Sequence, residues 1–117
     1  MTLTIDGRRG RLGDHEAHAW LTSVLRPAGR LDAAATGRLT AALATLASSS
    51  DMVVVDLTAT RVSSPGRLAV ALRAPARRLT GPERCLLLVG APPDLVAELN
   101  RAGVPAVLAD TAGIPAA

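Results

Sequence analysis

The chain has 117 residues, 49% of them hydrophobic, and carries 13 basic against 10 acidic side chains for a net charge of +3. That length suits one domain with a hydrophobic core of its own, and the lone Cys85 excludes a disulfide framework or a cysteine-based zinc site. Every basic residue is arginine, Phe and Tyr are absent and Trp20 is the sole aromatic, so the stacking side chains of a nucleic-acid groove are missing.

From the amino end, Thr2-Leu3-Thr4-Ile5 alternates polar and apolar residues and predicts a half-buried strand, with Gly7-Arg8-Arg9-Gly10 as the turn or loop after it. Met1 to Gly13 has few large apolar residues, and no apolar run approaches the roughly 20 residues that span a bilayer. The expectation is a cytoplasmic protein without a membrane segment. Ala19 to Pro27 predicts a second strand, antiparallel to the first, with Asp14-His15-Glu16 in or near the connection and Trp20 anchoring a sheet face. His15 and His18 are three residues apart beside two acids, but the segment carries no helix signal that would converge them on a metal, so it reads as an exposed loop.

Gly29-Arg30-Leu31-Asp32 is punctuation, and Asp32 has the short acceptor side chain of an N-cap ahead of a helix whose Leu39, Leu43 and Leu46 form one apolar stripe. Ser48 to Asp51 ends it. Met52 to Leu57 is almost continuously apolar and predicts a central strand covered on both faces. Beyond a polar gap, Ser63-Ser64-Pro65-Gly66 opens a second helix marked by Leu68, Leu72 and Leu79, with Pro75 expected to kink or break it near Arg73-Ala74. Arg73, Arg77, Arg78 and Arg84 are a candidate basic patch, suited to an acidic protein partner or, were stacking aromatics present, to nucleic acid. After Gly81-Pro82, Cys85 to Val89 predicts a third buried strand holding a structural thiol, Pro92-Pro93-Asp94 introduces a helix that stops at Gly103, and Val104 to Ala109 supplies a last short strand.

Strands alternating with helices demand a mostly parallel sheet with right-handed crossovers, here with an antiparallel strand attached at the amino end. The expected fold class is α/β, a mixed, mostly parallel sheet of about five strands with about three to four helices in one domain. That domain takes in residues 1–117, with 1–18 as an amino-terminal strand and loop and 110–117 as a frayed tail.

No enzyme chemistry is advertised. Leu88 to Asp94 has one glycine and prolines where a phosphate-binding turn needs N–H donors, neither Ser63 nor Ser64 lies in a nucleophile elbow, and Glu83 and Glu98 lack an acidic partner. No metal or cofactor is expected. The segment that does invite function is Ser63-Ser64-Pro65-Gly66, because the first N–H groups of a helix are unpaired and the dipole there favours anions. A phosphoserine would place about −1.5 to −2 charges at that point. Ordinary helix caps use the same residue types.

Four segments in register resemble the STAS domains, the family that includes bacterial anti-sigma factor antagonists. Gly29-Arg30-Leu31-Asp32 is similar to the family's G-x-L-D, Val53-Val54-Val55-Asp56-Leu57 to its V-V-x-D-L strand, and Ser63-Ser64-Pro65-Gly66 stands in the place of its Asp-Ser-Ser-Gly loop. The helix running into Ala102-Gly103-Val104 matches its helix into Gly-Leu, so the likeness spans roughly residues 20 to 110. In that family the first serine is phosphorylated by a partner that is both anti-sigma factor and serine kinase, and the unphosphorylated antagonist binds the partner and frees the sigma factor. By position Ser64 is the acceptor and Ser63 the alternative. Ser63 replaces the family's Asp, Pro65 replaces its second serine, and the interval from Asp56 to Gly66 is one residue shorter.

The resemblance implies a partner-switching module in transcription regulation, binding a kinase-type anti-sigma factor through Ser63 to Leu72. Its partner-binding candidates are Asp32, Asp56, Ser63, Ser64, Pro65, Gly66, Arg67 and Leu68. The alternative it implies is a divergent, unphosphorylated STAS domain serving as a subunit of a transport or stress-response complex. A homo-oligomer is left open.

Overall fold

The computed structural model describes residues 2–11, 19–81 and 84–109. In chain order they form strands β1 (Thr2–Arg11) and β2 (Ala19–Leu31), helix α1 (Ala33–Ser49), strands β3 (Met52–Asp56) and β4 (Thr60–Val62), helix α2 (Pro65–Arg78), strand β5 (Cys85–Val89), helix α3 (Pro93–Ala102) and strand β6 (Val107–Ala109). The sheet order is β1-β2-β3-β5-β6, with β4 paired to β2. Only β1 and β2 are antiparallel; every other pairing is parallel. The expected α/β class and mixed, mostly parallel sheet are therefore present, with six strands and three helices among the described residues.

The parallel strands β2, β3, β5 and β6 succeed one another across the sheet without reversing direction. Right-handed crossovers then place every connecting helix on the same face. α2 accordingly packs between α1 and α3. Leu25, Val53, Val55, Leu86 and Leu88 from the sheet form one core with Leu39, Leu43, Leu68, Leu72, Leu95 and Leu99 from the helices. Val24, Val54 and Leu87, on the other face, are only half-buried. This corrects the expectation that the Met52 strand is covered on both faces: its apolar run alternates in burial because the topology supplies one helix layer.

Three other expectations change. Gly7-Arg8-Arg9-Gly10 is not a turn but part of β1, where Gly7 pairs with Ser23 and Gly10 with Trp20. The long antiparallel ladder overrides the weak strand preference of glycine. β2 runs through Gly29-Arg30-Leu31, because β4 takes over as its parallel neighbour at Gly29↔Thr60 after pairing with β3 ends at Leu25↔Val55. Pro27 lies between those two registers, where neither parallel neighbour needs its missing N–H. α2 runs unbroken through Pro75, which is buried.

α1 and α3 begin and end as the local chemistry dictates. Asp32 caps α1, its side chain accepting from Ala35 N. Gly103 closes α3 at φ 66°, with Gly103 N donating to Asn100 O and Val104 N to Leu99 O, the paired bonds of a Schellman turn. No helix among the described residues is long and apolar enough to cross a membrane. The His15 and His18 segment, Glu83, the tail from Asp110 and the Trp20 side chain lie outside what is described.

Candidate docking site

Asp32 follows β2, Asp56 ends β3, Ser63 and Ser64 follow β4, and Gly90 follows β5, so one edge of the sheet gathers the carboxyl ends of its parallel strands. Open α/β sheets place their binding crevices at that edge.

The backbone there is tied down first. Asp56 Oδ1 accepts from Thr58 N at 3.0 Å and from Thr58 Oγ1 at 2.6 Å, closing a turn just past β3. Asp56 Oδ2 lies 3.9 Å from Arg26 Nε. Leu57 N donates to Val89 O, Thr60 Oγ1 to Leu57 O and Gly29 N to Ala59 O, so residues 57–60 are stitched to β5 and β2. Asp56 therefore serves the scaffold behind the loop. Asp32 is exposed, and the bond from Ala35 N (2.8 Å) holds its carboxyl below the usual carboxylate range, with Arg38 and Arg30 adding in the same direction.

Ser63 and Ser64 are both exposed, and their hydroxyls stand in different surroundings. Ser63 Oγ accepts from Arg30 Nε at 3.1 Å, and Ser63 N donates to Leu31 O. Ser64 takes the N-cap position of α2 with extended backbone, φ −138° and ψ 91°, and its carbonyl accepts from Leu68 N, yet its hydroxyl makes no capping bond. Pro65 occupies the first helical position, where its missing N–H costs nothing. Pro65 and Gly66 are half-buried and Arg67 is exposed.

Leu68 is 1% exposed. It belongs to the core that seats α2, which corrects its place among residues that would touch a partner. The outward stripe of α2 instead runs through Arg67 and Val70, the latter 61% exposed.

Glu98 and Arg30 were not legible as site residues. A Cβ built on Gly66 would lie 3.5 Å from Glu98 Oε2, so the first turn of α2 already has a carboxylate beside it, and Glu98 Oε1 accepts from Arg101 at 3.1 Å. The apposition of α2 and α3 creates this contact across 32 residues of chain, and no local pattern announces it. Three of the four candidate patch arginines take part in structural hydrogen bonds. Arg73 Nε donates to Ala102 O, Arg78 to Ser48 Oγ, and half-buried Arg84 to Ala47 O (2.8 Å) and Ser50 O, spending positive charge on the carboxyl ends of α3 and α1. Cys85 is half-buried, and burial pushes its thiol up.

No protein-family model and no curated protein sequence matches the chain. Its fold is similar to that of the anti-sigma factor antagonist SpoIIAA in its unphosphorylated form, with a TM-score of 0.59 and 14% identity over 90% of this chain and 87% of that one. It is also similar to the Bacillus cell fate determinant SpoIIAA in the phosphorylated form, with a TM-score of 0.52 and 17% identity over 90% of each chain. At these identities the shared property is the fold, the STAS fold that the four sequence segments resemble.

Proposed function

We propose that the chain is a non-enzymatic partner-switching module of the anti-sigma factor antagonist kind. It docks a kinase-type anti-sigma factor through the Ser63-Ser64 loop and the outward face of α2. The observation that carries the reading is the continuity of that surface: two exposed serines lead directly into a helix whose exposed Arg67 and Val70 extend the same stripe. The SpoIIAA likeness supports it at the level of fold. A phosphate on this loop would add charge at the centre of the docking surface and eject the partner by repulsion and desolvation cost. Such a partner acts in the cytoplasm on transcription.

The test is calorimetric binding to candidate anti-sigma ATPases, with Val70→Asp, Arg67→Glu and paired Ser63→Asp/Ser64→Asp variants. The parent chain is expected to bind one of them and all three variants to weaken that complex at least tenfold. Retention of full affinity by all three sinks the reading.

A second reading is supported by Pro65, which takes a backbone donor away from the loop where the family has a serine. The same surface would then dock constitutively, as a subunit of a transport or stress-response complex. It predicts that mass spectrometry finds no phosphate on Ser63 or Ser64 in chain recovered from its native cells, and that Ser63→Ala/Ser64→Ala leaves the complex intact.

A further inference from the structure

Of the two serines, we propose that Ser63 is the one at which this loop holds a phosphate, and that Arg30 and Arg61 are the residues that hold it. The inference rests on the docking reading, within which it reassigns the modified position from Ser64.

Three observations converge. Arg30 Nε already donates to Ser63 Oγ at 3.1 Å, so phosphate oxygens added to that atom fall one bond away from a guanidinium fork. Arg30 and Arg61 are direct partners in the β2–β4 ladder, so both leave the same face of the sheet, and both are exposed. Like charges placed opposite each other across strands repel, and an anion between them removes that cost. Third, the start of α2, which would otherwise favour an anion on Ser64, already has the Glu98 carboxylate beside Gly66. A phosphate on Ser64 would be added two residues before the glycine that this carboxylate faces, whereas one on Ser63 is added at the atom that Arg30 already binds, with Arg61 as the ladder partner of Arg30.

The remaining charges do not reverse this balance. The Asp32 carboxylate is committed to Ala35 N and stabilised by Arg38 as well as Arg30. Arg67 on α2 is exposed, and Arg101 on α3 is paired with Glu98. Transfer from a nucleoside triphosphate held by the kinase forms the Ser63 Oγ–P bond and breaks the bond from the γ-phosphorus to the bridging oxygen. Nucleoside diphosphate leaves, and the hydroxyl proton passes to a base on the kinase.

The test needs no partner. Phosphoserine is installed genetically at position 63 or 64 of the full chain, and its second ionisation is followed by phosphorus NMR between about pH 4.5 and 8. Phosphoserine at 63 is expected to titrate at a pH lower by about 0.5 than phosphoserine at 64. Arg30→Gln together with Arg61→Gln should raise the midpoint at 63 and narrow that difference, and Glu98→Gln should lower the midpoint at 64 while leaving 63 unchanged. A midpoint at 63 no lower than at 64, or one indifferent to loss of both arginines, overturns the assignment. Because no anti-sigma factor is present, that failure leaves the docking reading intact, and failure of docking leaves this titration unaffected.

Discussion

The methyl group of Thr58 stands 2.6 Å from the place a Cβ on Gly90 would occupy. Gly90 also adopts φ +72°, and the Thr58 backbone nitrogen lies 3.2 Å from the same point, so neither the space nor the backbone tolerates a side chain. Thr58 cannot swing aside, because Asp56 binds both its amide and its hydroxyl. Gly90 thereby lets the β5 end approach the turn that carries the chain from β3 towards the candidate docking loop.

Gly90→Ala is therefore expected to cost about 2–3 kcal/mol of stability by urea denaturation, the sum of left-handed strain and a close contact with held backbone. Gly66→Ala is the control, since its new Cβ meets nothing nearer than Glu98 at 3.5 Å, ordinary contact with a movable side chain. It should change stability by less than about 1 kcal/mol. Equal losses at the two glycines would contradict the packing described.

Leu68 and Val70 divide the labour of α2. Leu68→Ala removes a fully buried side chain and should cost about 2–5 kcal/mol, while Val70→Asp, on an exposed site, should stay within about 0.5 kcal/mol in stability and act on partner binding alone. Denaturation midpoints and calorimetric affinities measured on the same two variants separate the roles.

Residues that speak to their neighbours in sequence were readable, and those that speak across the fold were not. The cap at Asp32, the stop at Gly103 and the strand at Val53 to Val55 follow from local chemistry and period. Burial of one face only could not be read from Val53-Val54-Val55, because it depends on the order in which strands join the sheet. β4 is three residues long and has no pattern of its own; its partner on β2 creates it. The Ser63-Ser64-Pro65-Gly66 loop was legible as a helix start, whereas Arg30 reaches it from 33 residues away and Glu98 from a different helix.

Asp32 makes part of the stability of α1 depend on pH. Its folded carboxyl titrates lower than in the unfolded chain, chiefly through the Ala35 N–H bond, so the ionised form binds better in the folded state. That contribution is complete above the unfolded value near 4 and is lost as pH falls below it through the folded value. Asp32→Asn keeps a capping acceptor but does not titrate. The loss of stability between pH 6 and pH 3, followed by urea denaturation, should be smaller in Asp32→Asn than in the parent; an identical acid dependence would deny Asp32 this role.

Beneath the sheet, Ser23 and Ser50 share a buried hydrogen bond of 2.7 Å between their hydroxyls, joining β2 to the end of α1. Either hydroxyl alone is a polar group without water to turn to, so Ser23→Ala or Ser50→Ala should each cost about 1–2 kcal/mol through the partner left unpaired. Removing both leaves no orphan, and the double variant should be no less stable than the worse single one. A double-mutant cycle read by denaturation then gives a coupling of about 1 kcal/mol or more. Simple additivity of the two losses would mean that each serine acts through packing, and that this bond does not hold the carboxyl end of α1 against the sheet.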